Sequence, residues 1–204
     1  MAVTADEYGD AAIRCRVDSL AEAHALFALL RREAGPEVRN VVPGWRTVVV
    51  TLTEPGSHVA SLLDRVRDVV LDNIEAPTGR RHELTMTYDG PDLDAIADAT
   101  GFDEAEVIRR HLAGEYVVAF LGFAPGFPYL AGLDPALAVP RRTTPRARID
   151  AGSVGIADDV TGIYPSASPG GWQLLGHVNA QLFDAEVMPP ALLAPGDIVT
   201  FARG

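Results

Sequence analysis

The feature that most narrows the possible folds is a stretch of 57 residues, 120–176, which holds 16 of the chain's 34 Gly and Pro residues. At that density a chain without apolar anchors stays disordered. Here Phe120, Phe123, Phe127, Tyr129, Tyr164 and Trp172 recur between the turn residues. Each can bury enough surface to offset the entropy of ordering its loop. The stretch therefore reads as a folded surface built from loops.

The remainder of the chain sets outer limits on function. With 204 residues, 48% of them hydrophobic, it can build one large core or two small ones. No run of 18 apolar residues occurs, and the first ten residues are acidic where a secretory leader is basic and then apolar. A cytoplasmic protein with no membrane attachment is expected. The net charge of −11 argues against nucleic acid and anionic membranes as partners. All 17 basic residues are arginine, which excludes a Walker A loop, a Schiff base and a biotinyl-lysine, since each needs an amine. The lone Cys15 excludes multi-cysteine zinc sites and reads as a thiol on a half-buried strand. The five histidines show no paired-ligand spacing, so no metal site is expected.

Two halves emerge along the chain. Ile13, Cys15 and Val17 alternate with Arg14 and Arg16, the period of a strand. Ser19 and Glu22 form a capping box for a helix with Leu20, Ala23, Phe27 and Leu30 on one face, stopped by Gly35-Pro36. Residues 38–42 and 47–52 flank Pro43-Gly44 and read as a hairpin. Ser57 caps a second helix with a stripe of Val59, Leu62, Leu63, Val66 and Val70. Leu84, Met86 and Tyr88 alternate again. The resulting β-α-β-β-α-β order predicts an α+β, ferredoxin-like N-terminal domain over residues 1–88.

Residues 89–119 carry eight acids against two arginines and read as an acidic helical connector, broken at Gly101 and restarted by Asp103 and Glu106. Its spacing resembles a helix-turn-helix, but a recognition helix beginning Asp-Glu-Ala-Glu repels phosphate. Beyond Glu115, short apolar strands (116–123, 154–157, 174–178, 180–183, 198–201) separated by Gly/Pro turns predict a mainly β barrel, with Pro195-Gly196-Asp197 turning into the last strand. The second domain is thus residues 89–204, connector plus barrel.

Several residues of the central stretch carry candidate chemistry. Arg141, Arg142, Arg146 and Arg148 put four cations within eight residues, stiffened by Pro140 and Pro145. They form either a carboxylate or phosphate clamp or an exposed cluster paired with acids such as Asp134 and Asp150. Ser168, Gly170, Gly171 and Trp172 form either a loop whose backbone N–H groups meet a carboxylate or a barrel corner anchored by a buried indole. Tyr129 and Tyr164 join this candidate binding set. Ser153, in Ala-Gly-Ser-Val-Gly, stands one residue off a nucleophile elbow, but strand-then-turn surroundings favour a hydrogen-bonding serine. His111 is the histidine to test as a general acid or base.

Gly-Phe-Ala-Pro-Gly-Phe from Gly122, Pro-Arg-Arg from Pro140, Ala-Gly-Ser-Val from Ala151, Ile163-Tyr164-Pro165 and Ser-Pro-Gly-Gly-Trp from Ser168 occur in order, with His111 and Glu115-Tyr116 upstream. Together they closely resemble the family of KipI, PxpB (the 5-oxoprolinase component of that name) and allophanate hydrolase subunit 1 over residues 105–202. The resemblance implies a cyclophilin-like barrel after a small α+β domain. It also implies a hetero-oligomer with a KipA/PxpC-type partner (allophanate hydrolase subunit 2) and a PxpA-type subunit. Such a complex is an ATP-dependent amide hydrolase that converts 5-oxoproline to glutamate. This chain would then be a non-autonomous subunit sharing a site for a small amide or carboxylate. ATP would be a co-substrate of the complex, bound elsewhere than on a P-loop of this chain. The alternative within the same family is a regulator that inhibits a sensor histidine kinase. Ile149-Asp150 replaces the family's Val-Pro, placing an acid beside the arginine run.

Overall fold

A computed structural model of the chain describes residues 3–54, Gly56, Leu62, Asp64, Val66 and 79–204. The backbone divides into two units, residues 1–78 and 79–204.

The first unit is an antiparallel sheet of β1 (Thr4–Glu7), β2 (Ala12–Arg16), β3 (Val38–Pro43) and β4 (Thr47–Leu52), in the order β1-β2-β4-β3, with helix α1 (Leu20–Arg32) after β2. The capping box forms as its sequence dictates. Ser19 Oγ accepts the Glu22 N–H at 3.2 Å, and the Glu22 carboxylate accepts the Ser19 N–H at 3.2 Å. The buried face is centred on Ala23, Leu26 and Leu29, with Phe27 and Leu30 half-buried, and so is turned from the Leu20–Ala23–Phe27–Leu30 stripe. Cys15 is fully buried among Ile13, Val48 and Val50. Burial, with Asp6 nearby, pushes its thiol up to about 12. The helix expected from Ser57 lies outside the described residues except for Leu62, Asp64 and Val66. Of these, Leu62 and Val66 are buried in this core.

The ferredoxin-like reading is corrected at its last strand. β5 (Arg81–Thr87) does not return to this sheet; it runs parallel to β13 (Ile198–Arg203) and antiparallel to β12 (Gln173–Val178), inside the second unit. Both of its edges are hydrogen-bonded there, so it has no edge left to complete an N-terminal sheet. The place beside β2 that a ferredoxin-like unit gives its last strand is taken by β1. The division therefore falls at 78/79 rather than at 88.

The second unit is mainly β. Strands β6 (Tyr116–Leu121), β7 (Pro128–Ala131), β9 (Ser153–Ala157) and β10 (Val160–Ile163) join β5, β12 and β13 in a closed seven-stranded barrel of order β10-β7-β6-β13-β5-β12-β9. Closure removes exposed edges. A two-stranded ribbon of β8 (Arg146–Ile149) and β11 (Ser168–Gly170) stands apart from it. Residues 180–183 form no strand; Phe183 makes an isolated bridge to Ala191.

Helices α2 (Leu93–Thr100) and α3 (Glu104–Leu112) bury Leu93, Ile96, Val107 and Ile108 in the core that also holds Met86, Leu130, Ile156 and Val199. Each such side chain contributes about 1.5–3 kcal/mol by burial. Gly101, at φ +75°, ends α2, and the Asp103 carboxylate accepts the Glu106 N–H at 2.8 Å to start α3. No described helix is long and apolar enough to cross a membrane.

Candidate functional site

A second, smaller apolar cluster in the barrel unit, built on Phe127, Ile149, Tyr164, Trp172 and Leu174, underlies the candidate site. Phe127 stands almost perpendicular to both neighbours, at 5.1 Å and 87° from Tyr164 and at 5.5 Å and 84° from Trp172. Tyr129 meets Trp172 edge-on at 5.7 Å. These edge-to-face contacts fix the ring planes, each adding about 0.5–1.5 kcal/mol beyond area. Trp172 and Phe127 press against β10 where it lacks a side chain: a Cβ on Gly162 would lie 2.7 Å from Trp172 Cζ3 and 2.9 Å from Phe127 Cζ.

The rings bound a recess of about 330 Å³ including its open mouth, lined by Phe123, Phe127, Tyr129, Arg141, Tyr164, Gly170, Gly171 and Trp172. The β6–β7 turn supplies Phe123, which is 64% exposed at φ +66°. A bulky side chain in that left-handed region is strained, and such strain gathers at functional sites. Burial holds the Tyr164 proton above the ordinary phenol range.

The arginine run divides by partner. Arg142 and Arg146 turn away from the recess onto Asp92, the residue before α2, whose side chain is 2% exposed. Arg142 donates to Asp92 Oδ1 at 2.6 Å, and Arg146 donates to both oxygens at 2.8 and 2.7 Å. Oδ2 also accepts the Leu174 N–H at 2.8 Å. The expected clamp is corrected accordingly: these two guanidinium groups hold the loop to the barrel wall. Arg148 pairs with Asp150 at the surface, and Asp134 takes Arg110 instead. Arg141 faces the recess, its guanidinium 5.8 Å from the Trp172 ring centroid, with no carboxylate partner among the described residues.

The catalytic assignments are corrected too. His111 is completely buried beneath Tyr116 and Phe201, with the Tyr88 hydroxyl 2.7 Å from Nδ1 and the Thr161 hydroxyl 3.5 Å from Nε2. Loss of solvation lowers its pKa to about 3, so it is a neutral core imidazole with no route to a substrate. Ser153 begins β9 opposite His177 and lines no part of the recess. Ser168 lies on the ribbon opposite Ile149, outside the recess, with its Oγ buried and unpartnered among the described residues. Arg141, Tyr129, Tyr164, Gly170, Gly171 and Trp172 line one recess. Phe123 and Phe127 belong with them; the repeated Gly-Phe of their turn was the signal. Asp92 was hidden inside an acidic segment, and the visible hint was a run of four arginines with Asp150 as the acid beside it.

The model of the family "carboxyltransferase domain, subdomain C and D" matches residues 3–193. The B subunit of the Bacillus subtilis (strain 168) 5-oxoprolinase is 53% identical over 195 residues, 88% of this chain and 81% of that protein. Its counterpart, the B subunit of the Escherichia coli O157:H7 5-oxoprolinase, is 42% identical over 189 residues, 90% of this chain and 86% of that protein. Among solved structures, TTHA0988 superposes with a TM-score of 0.82 at 34% identity over 95% of this chain, which spans only 39% of that longer chain.

Proposed function

We propose, since this chain belongs to the carboxyltransferase domain, subdomain C and D family, that it is one subunit of a 5-oxoprolinase. The observation that carries this reading is the 53% identity to the B subunit of a 5-oxoprolinase over 88% of the chain. The barrel is its cyclophilin-like part, and the aromatic recess is its share of the substrate site. The recess holds aromatic rings, two of them phenols, and one guanidinium, but no nucleophile paired with a base. The chain therefore acts with other subunits, a KipA/PxpC-type partner first and a PxpA-type subunit with it, in the cytoplasm. The assembled complex couples ATP use to opening of the lactam C–N bond of 5-oxoproline, giving glutamate. The chain contains no lysine and so does not fit a phosphate loop of the G-x-x-x-x-G-K type; ATP is bound elsewhere in the complex.

Co-expression with the partner subunits, followed by assay of glutamate released from 5-oxoproline and ATP, tests this reading. The complex should turn over and the isolated chain should not. A stable, correctly assembled complex that releases no glutamate would overturn it.

A further inference from the structure

A second group of chemically active side chains lies on the outer wall of the barrel, apart from the recess. β12 is flanked by β5 and β9, and His177 on β12 stands opposite Thr87 on one side and Ser153 on the other. Their chain neighbours Met86, Val154 and Val178 are buried in the core, so by strand alternation Thr87, Ser153 and His177 face outward. Just beyond β5, exposed Asp89 lies on the same wall, and its carboxylate accepts the His177 Nδ1–H at 2.9 Å.

That contact fixes the tautomer of the ring. A carboxylate can only accept, so Nδ1 carries the proton and Nε2 is the acceptor of the neutral imidazole. The two ring nitrogens face in nearly opposite directions; with Nδ1 held by Asp89 on the β5 side, Nε2 turns toward β9, where Ser153 stands. The Val178 N–H donates to the Gly152 oxygen at 2.9 Å, which makes His177 and Ser153 a non-hydrogen-bonded cross-strand pair. This is the closer kind, with Cβ atoms roughly 4.5–5.5 Å apart. Neither Nε2 nor the Ser153 hydroxyl has a partner among the described residues, and a side-chain rotation is enough to join them.

We propose that Ser153, His177 and Asp89 form an acyl-transfer site: a nucleophile, its general base and the carboxylate that orients the base. Ser153 Oγ attacks an ester carbonyl while its proton passes to His177 Nε2. The bond to the leaving group then breaks, the leaving group departs with that proton, and an acyl-Ser153 ester remains. Water, deprotonated by the same imidazole, hydrolyses this ester to the free acid and restores the serine. The nearby N–H groups of Gly152, Ser153 and Val178 are committed to the carbonyl oxygens of Tyr164, Asp150 and Gly152, so they build no oxyanion hole. Each missing oxyanion donor costs about 10²–10³ in rate. The substrate class is therefore acyl groups on good leaving groups, such as aryl esters, and turnover is slow.

The test treats the full chain with p-nitrophenyl acetate and follows both p-nitrophenolate release and the mass of each peptide. The chain has no lysine, so the side-chain amines that dominate non-specific acetylation are absent. Release should begin with a burst approaching one equivalent, and one acetyl group should appear on the peptide holding Ser153. Ser153→Ala should abolish the burst, and His177→Gln should slow acylation by about 10²-fold or more. Asp89→Asn should slow it by about tenfold, with Asp89→Glu recovering part of the loss. All three side chains are partly or largely exposed, so the variants should keep the parent melting transition.

An absent burst in the parent chain, a burst that survives Ser153→Ala with the acetyl group on His177 or the N-terminal amine, or unchanged acylation in His177→Gln each overturns the proposal. The assay involves no 5-oxoproline, so its outcome leaves the subunit role untouched.

Discussion

Replacing Asp92 with asparagine tests whether one buried carboxylate holds the arginine loop, and so Arg141, beside the recess. The Asp92 side chain is 2% exposed and receives three guanidinium N–H groups and one backbone N–H. Asparagine preserves the volume and one acceptor, but it removes the charge and turns an amide NH₂ toward a guanidinium. Breaking a fully buried ion pair costs about 3–5 kcal/mol. Arg142 and Arg146 keep 33% and 23% of their side-chain surface in solvent, which screens part of the loss, so Asp92→Asn should cost about 2–3 kcal/mol at pH 7.

Urea denaturation reads this cost, and its pH dependence carries a sign. Burial opposes ionisation of Asp92, but the hydrogen bonds from Arg146 and Leu174, with the charges of Arg146 and Arg142, outweigh it and hold the carboxyl below its ordinary 3.8. A carboxyl lowered in this way stabilises the fold above its unfolded pKa and loses that contribution as pH falls through its folded pKa. The gap between wild type and Asp92→Asn should therefore be full at neutral pH and close in acid below the ordinary carboxylate value of ~3.9. A variant within about 0.5 kcal/mol of wild type at pH 7, or a gap unchanged in acid, would refute the reasoning.

Other outcomes follow from neighbouring features. Because the His111 pKa falls from 6.5 to about 3 on folding, the unfolded chain binds the extra proton between those values. Stability should drop by about 1.4 kcal/mol per pH unit below 6.5 from this group, and His111→Gln should flatten the slope between about pH 6.5 and 5 by that amount in urea titrations. Gly162→Ala puts a methyl 2.7 Å from Trp172 Cζ3; overpacking should cost about 1–3 kcal/mol and shift the near-ultraviolet circular dichroism of the recess rings. The Cys15 thiol, buried and pushed up to about 12, should ignore thiol reagents in the native protein and react fully in urea. Rapid labelling under native conditions would show the first sheet opening.

Much of the local structure is legible in the chain. Ser19 and Glu22 identify the start of α1, Gly101 and Asp103 the break between α2 and α3, and Pro43-Gly44 between two strand-forming runs the hairpin of β3 and β4. The recess was partly legible because its rings and glycines lie within residues 120–176, where the density of turns shows a loop-built surface. Less was legible where identical patterns serve different ends. The fully buried Val160–Ile163 strand lacks alternation, and His111 looked like a helical histidine near a motif until its helix packed against Phe201.

By itself, then, the sequence determined the periodicities, the caps, the turns and the lysine-free acidic composition, all of which depend on residues a few positions apart. Tertiary structure decided which partner each element took. β5 could pair with either unit until β13, more than a hundred residues later, met it in parallel. Arg142 and Arg146 read as a clamp until Asp92, 50 and 54 positions away, claimed them. Strand edges and charges are satisfied by whatever the closed barrel brings within 3 Å, and contacts of that range leave no period in the chain.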